Sequence, residues 1–305
     1  MKQLHLISGM PRSGSTLLCQ ILSMHKDHYA TPTSPMLDML ISQQAVFSHN
    51  GGFKAVDRLE FYNDFAEAQK SFLETYYKQQ KIVFDKNRGW PMHLMKLDEI
   101  MANEDTKIIW TYRDPLEIIA SMESQHRKFP LIQYTEEQQS PGGLSSLDAR
   151  IGHFVSDNSI MVLPARALHE AVHTGYSDRI KIIDYKSLCK FPQETLDEIH
   201  EFLGLEPHKY DAKDWKDLKQ VTHEHDHLYN YKYPHQIQEG EIKYVKHDTK
   251  YLEGNYAKLV DERFKWLKEH CEKEVTKVSN PRSPRIGRVN KPGTARSNHR
   301  QLVEK

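Results

Sequence analysis

The chain has 305 residues, enough for two domains of about 150 each or one large α/β domain, so it can bury a substantial core. Lysine plus arginine (42) balance aspartate plus glutamate (42), which excludes a global attraction to nucleic acid or membrane; 38% apolar content and a mean hydropathy of −0.72 leave part of the chain without core-forming residues. Cys19, Cys189 and Cys271 stand too far apart for a CxxC metal site or a disulfide framework, and with no signal-like apolar run before Gly9 and none of about 20 residues later, the chain reads as soluble and cytoplasmic, with no membrane span.

In chain order, Leu4–Ser8 is the first predicted strand, and Leu17, Leu18, Ile21 and Leu22 repeat at helical spacing just beyond it. A longer helix is predicted over 57–79, then strands at Ile82–Asp85 and Lys107–Tyr112, then a helix from Ile118, Ile119 and Met122. Residues 148–174 read as another long helix, Arg179–Asp184 as a fourth strand, and Leu196, Ile199, Phe202 and Leu203 as a helix closed by Gly204. Short apolar strands alternating with amphipathic helices predict a three-layer α/β fold, a mostly parallel, P-loop-type sheet with helices on both faces. The stretches 31–56, 128–147 and 204–255 read as irregular connections, which in an open α/β sheet gather beyond the carboxyl ends of the strands, where ligands bind.

The last segment differs. Lys277 to Lys305 carries eight basic residues against the single acid Glu304, a charge of +7 that leaves −7 on the preceding 276 residues. Prolines 281, 284 and 292 and the lack of a periodic apolar face predict a disordered basic tail at 277–305 after an α/β domain at 1–276.

The first strand runs into Gly9-Met10-Pro11-Arg12-Ser13-Gly14-Ser15-Thr16 and then into a helix. A Gly-bounded loop between strand and helix lets backbone N–H groups converge on an anion, with the helix N-terminus adding partial positive charge. The G-x-x-x-x-G spacing matches a P-loop, but Ser15 stands where a nucleotide triphosphatase needs lysine, so cationic help must come from Arg12. A second anion site is predicted after the third strand, where Pro115 opens a helix and places Ser121 about two turns in, facing back toward Arg113. A guanidinium and a hydroxyl suit a phosphate dianion; an Arg113–Asp114 surface pair with Ser121 as an ordinary helix residue is the alternative.

Pro11–Leu17 and Arg113–Ser121 together resemble the sulfotransferases that use 3′-phosphoadenosine-5′-phosphosulfate (PAPS), whose P-R-S-G-[ST]-T-L loop holds the 5′-phosphosulfate and whose R-[DN]-P-x-x-x-x-x-S motif holds the 3′-phosphate. Phe84-Asp85-Lys86 resembles the family's lysine-bearing strand end, Ile183 to Leu188 its "Y-E-D-L" strand end, and Tyr256 to Leu267 its closing helix, so the resemblance spans roughly 3–270. It implies cofactor binding by Pro11, Arg12, Ser13, Gly14, Ser15, Thr16, Arg113, Ser121 and Tyr185, with Arg12 and Lys86 neutralising the bridging oxygen as sulfuryl leaves. The terminal sulfuryl carries less charge than a phosphoryl group, so no metal is expected.

An acceptor hydroxyl also benefits from a general base. The glutamate that the protein-tyrosine branch carries about twenty residues beyond the loop has no counterpart, since Thr31-Pro32-Thr33-Ser34-Pro35 stands there. Asp38, His93, His126 and His153 are the candidates, with Asp38 and His126 preferred. The family's arginine one turn after the 3′-phosphate serine is replaced by Gln125, with Arg127 nearby as a substitute. His223, His225 and His227 alternate as zinc ligands can, but their similarity to a His-Asp-His stretch of bacterial members favours a loop capping the active site. Two other readings stay open: a P-loop kinase or hydrolase, and a non-catalytic adenosine-phosphate binder. Nothing in the sequence names the acceptor or indicates a nucleic-acid partner.

Overall fold

The computed structural model describes residues 3–55, 58–128, 144–211, 215–216 and 240–279. Among them five strands form one sheet: β1 (Gln3–Gly9), β2 (His28–Thr31), β3 (Ile82–Lys86), β4 (Ile108–Tyr112) and β5 (Ile180–Asp184). Their order is β2-β3-β1-β4-β5, and every pairing is parallel. Parallel neighbours need long crossovers, which the helices supply.

Side chains alternate across the sheet, so each strand feeds two cores. Leu4, Leu6, Val83, Ile108, Trp110 and Ile182 pack on one face, against α5 (Leu94–Met101), α6 (Pro115–Lys128) and α8 (Val162–Ala171). Ile7, Phe84, Ile109 and Ile183 pack on the other, against α1 (Ser15–Leu22), α9 (Tyr185–Lys190) and α10 (Pro192–Leu203). Burying one such aliphatic or aromatic side chain contributes about 1.5–3 kcal/mol, and this double-sided burial fixes the three-layer architecture expected from the sequence. Pro192 opens α10 and Gly204, left-handed at φ 71°, closes it, with the Leu205 N–H reaching the His200 carbonyl at 2.9 Å.

Four expectations need correction. Strand β2 is not among the four strands the sequence predicts; it exists because parallel pairing with β3 completes its ladder and buries Ala30. The stretch 31–56 is mostly helical, as α2 (Met36–His49), α3 (Gly51–Lys54) and, beyond it, α4 (Arg58–Tyr76), because Met36, Leu37, Leu40 and Phe47 share a buried stripe. The single helix at 148–174 is two, α7 (Leu147–Val155) and α8, broken where Ser159 Oγ donates to the Phe154 carbonyl and accepts from the Val162 N–H. After α11 (Asn255–Arg263), α12 (Lys265–Ser279) runs three residues past the boundary set at 276. The tail beyond it, 129–143 and the His223–His227 stretch lie outside the described residues.

The topology places the chemistry. Gly9 ends β1, Lys86 ends β3, and Arg113 and Tyr185 immediately follow β4 and β5, so the four share one carboxyl edge of the sheet, where β1 is flanked by β3 and β4.

Candidate active site

The loop after β1 depends on two glycines. A Cβ on Gly9 (φ 143°) would lie 2.3 Å from Thr111 Oγ1, and one on Gly14 (φ 92°) would lie 2.5 Å from Tyr185 Cδ2, so β4 and the first residue of α9 press directly on the loop backbone. Gly14 caps α1 with no side-chain hydrogen bond, which leaves the amides at the start of this helix for an anion. Ser13 takes no such part through its hydroxyl: it is fully buried, donates to the Met10 carbonyl at 2.6 Å and lies 2.7 Å from Thr111 Oγ1. Pro11 is buried, whereas Ser15 and Thr16 stay partly exposed at the helix start. Arg12 is left-handed at φ 58°, a conformation costing a non-glycine residue on the order of 1 kcal/mol or more.

The residues of the predicted second anion site gather around Arg113, which is 5% exposed. Its Nε and Nη2 each donate to Glu117 Oε2 at 3.1 Å, Nη2 also donates to the Val245 carbonyl at 2.6 Å, and Nη1 to the Arg12 carbonyl at 3.4 Å. The Tyr185 ring lies 4.7 Å from the guanidinium and the Tyr244 ring 5.9 Å, and the two rings are themselves 5.5 Å apart, so the cation lies against a pair of neighbouring aromatic rings. Tyr244 Oη donates to the Glu117 carboxylate at 2.6 Å, which ties the strap around residues 240–249 to α6. Burial, with Cys189 alongside, pushes the Tyr185 phenol up to about 12; burial and then the Glu117 carboxylate raise that of Tyr244. Ser121, 1% exposed, accepts a hydrogen bond from Arg12 Nε at 3.3 Å, so the loop and the second motif are in direct contact. The Arg113–Asp114 surface-pair alternative does not hold: Arg113 is buried on Glu117, while Asp114 accepts from the Leu116 N–H at 2.8 Å and pairs with Lys268 at 3.3 Å.

Lys86 Nζ donates to the Pro32 carbonyl at 2.7 Å, which joins the end of β3 to the segment after β2. Beside it Asp85 is wholly buried; Trp90 Nε1 donates to it at 2.7 Å and Tyr77 Oη donates to its other oxygen. Burial raises the Asp85 carboxyl above its ordinary range against hydrogen bonds from Ser34, Tyr77 and Trp90, and the charge of Asp38 adds to the rise. Asp38 is exposed in the first turn of α2, and His93, partly buried after β3, is lowered by burial. His126 and His153 lie partly buried on α6 and α7. Arg127 is exposed, 4.3 Å from the Tyr251 ring and 4.0 Å from Glu123.

Sequence reasoning missed Glu117 and Tyr244. The i,i+4 spacing of Arg113 and Glu117 was a readable signal for the first. Tyr244 is 127 positions from its partner and carried none. Among the described residues no group of three or more His, Cys, Asp or Glu is arranged to hold a metal, and no helix is long and apolar enough to cross a membrane.

A family model described as the sulfotransferase family matches residues 6–209. An uncharacterized protein of Aquifex aeolicus (strain VF5) is 25% identical over 211 residues, 65% of this chain and 25% of that protein, so the chain spans about a quarter of the curated relative it matches. Among solved structures, mouse sulfotransferase SULT7A1 complexed with PAP is 13% identical with a TM-score of 0.49, covering 91% of this chain and 88% of that one. The sulfotransferase domain from the curacin biosynthetic pathway is 17% identical with a TM-score of 0.45, covering 92% and 98%.

Proposed function

The chain belongs to the sulfotransferase family, and we propose that it transfers a sulfuryl group in line from PAPS to an acceptor hydroxyl or amine. The observation that carries the reading is the pair of anion sites on one sheet edge, joined by the 3.3 Å bond from Arg12 Nε to Ser121 Oγ. When bound, PAPS supplies the sulfuryl group and its adenosine bisphosphate half accepts the bond's electrons.

The residues present fit that group. The start of α1 has no side-chain cap, and Tyr185 seals the loop's flank, 2.5 Å from where a Gly14 side chain would begin. Ser121 and Arg113, both buried, are the proposed second site. The amides from Ser13 to Thr16 would hold the 5′ end, and Arg113 with Ser121 the 3′-phosphate. Lys86 places an ammonium at the adjoining strand end, where its charge opposes the negative charge that builds on the leaving oxygen. Its bond to the Pro32 carbonyl holds the side chain in place beforehand, so little reorganisation is needed during transfer. Asp38 and His126 remain the proposed proton acceptors, and the reaction is proposed to need no metal. A cytoplasmic setting belongs to the same proposal, since Cys19, Cys189 and Cys271 are all buried and none is in a disulfide.

Incubation with PAPS carrying labelled sulfate and a panel of hydroxyl and amine acceptors tests the reading. Labelled product dependent on Lys86 is expected. Transfer of a phosphoryl group from ATP under the same conditions, with none of sulfate, would overturn it.

A further inference from the structure

We propose that His169 and His173 form a binding site for a late divalent transition ion of the zinc class, separate from the nucleotide site. The pair lies where α8 runs into a single π-type turn (Val172–Tyr176) ahead of β5. That is the amino edge of the sheet, opposite Lys86 and Arg113, so the inference does not depend on the proposed function.

Spacing comes first. Histidines four positions apart share one helix face, and these two rings stack with centroids 4.0 Å apart, so modest ring rotations bring both within about 2.0–2.1 Å of one ion. The tautomer is already set. His173 Nδ1 lies 2.8 Å from the His169 carbonyl, which can only accept, so Nδ1 carries the proton and Nε2 keeps its lone pair. Metal-bound imidazoles are commonly oriented by this kind of donation to a backbone carbonyl. The backbone is unusual too: π-type turns are rare and gather at functional sites, and this one is held by Thr174 Oγ1, which donates to the Glu170 carbonyl at 2.9 Å and the Ala171 carbonyl at 3.3 Å. His173 is exposed and His169 half-buried, so an ion can reach both. Arg166 and Glu170, within a turn of the pair, are exposed and opposite in sign, which leaves the two ring nitrogens to supply the affinity. His270 stacks on the neighbouring Trp266 at 4.9 Å, yet among the described residues no three His, Cys, Asp or Glu are arranged to hold a metal, so two imidazoles bind the ion and water fills its other positions.

Trp266 makes the site readable, with its ring 4.5 Å from that of His169 and 5.7 Å from that of His173. The full chain, stripped with chelator and dialysed, would be titrated with Ni²⁺ while tryptophan emission is followed, and with Zn²⁺ by calorimetry. A saturable quench with one ion per chain is expected. His169→Gln and His173→Gln should each weaken binding by about 10-fold or more, since losing a ligand costs at least what losing an outer-shell partner does. Trp266→Phe should abolish the quench and keep the calorimetric affinity. Absence of a saturable quench in the wild type would overturn the proposal, as would a quench and affinity that survive both histidine substitutions. A lower Tm of those two variants in chelator, with Zn²⁺ affinity unchanged, would reduce the rings to packing and overturn it as well.

Discussion

Stability should fall on acidification through two histidines buried beneath the α1 face of the sheet. His5, on β1, packs against Phe84, and burial with nearby Lys107 lowers it to about 4. His28, on β2, stacks 4.0 Å from His25 and lies 5.5 Å from His200 and 5.1 Å from Phe84; burial and the three neighbouring histidines lower it to about 3, against Asp27. Both ionise more readily in the unfolded chain, so their contribution is complete above about pH 6.5 and is lost as the pH falls below it. Between pH 8 and pH 5 each costs folding about 2 kcal/mol, and the pair between about 2 and 4 kcal/mol once relaxation around His28 is allowed for. For a domain of this size that is a fall in Tm of roughly 4–16 °C. Asp85, raised by burial, acts in the opposite sense, so the comparison must be with the double variant His5→Leu, His28→Phe in the same buffers. The wild type should lose more Tm than the variant between pH 8 and pH 5. Parallel pH profiles for the two proteins would refute the reasoning.

Lys86→Ala should lower turnover by about 10²–10³ while changing affinity for adenosine 3′,5′-bisphosphate only a few-fold, because its charge is needed mainly as the leaving oxygen becomes negative. Equal losses in binding and rate would count against that role. Glu123→Ala should cost about 3–5 kcal/mol in a urea melt, since Arg150, bonded to it at 2.5 and 3.0 Å, would be left as a buried unpaired cation; a loss under 1 kcal/mol would show the pair to be dispensable. Gly14→Ala should weaken binding of both adenosine nucleotides, because its Cβ would meet the Tyr185 ring at a strained φ of 92°, and unaltered calorimetric affinity would show that the loop can shift.

What the sequence revealed follows a physical division. Leu4–Ser8 and Lys107–Tyr112 were legible because strands buried on both faces read as nearly continuous apolar runs. His28–Thr31 was not, since a short edge strand opening with histidine and tyrosine owes its conformation to β3 rather than to its own pattern. The α2 stripe of Met36, Leu37, Leu40 and Phe47 has helical spacing, but it is short and bounded by Pro32, Pro35 and the Gly51-Gly52 pair, residue types that also mark irregular connections. The phosphate loop and the Arg113–Ser121 motif are local spacings and survive translation into one dimension. The left-handed turn at Arg12, the tyrosine strap over Glu117 and the donation from Lys86 to the Pro32 carbonyl are tertiary, set by chain segments 54 to 132 positions apart or by a backbone angle that no spacing encodes.

The most direct test of the central claim is calorimetry of the full chain with adenosine 3′,5′-bisphosphate, adenosine 5′-phosphate and ATP, each with and without Mg²⁺ and a chelator. Two anion sites on one sheet edge should favour the bisphosphate by about 10-fold or more with no Mg²⁺ requirement, since one charge-assisted bond contributes about 1.5–3 kcal/mol and ~1.4 kcal/mol is a decade. Arg113→Ala should erase most of that preference, and Ser121→Ala, which leaves the Arg113–Glu117 pair in place, part of it. Tight Mg²⁺-dependent ATP binding, or a bisphosphate preference that survives Arg113→Ala, would contradict the account.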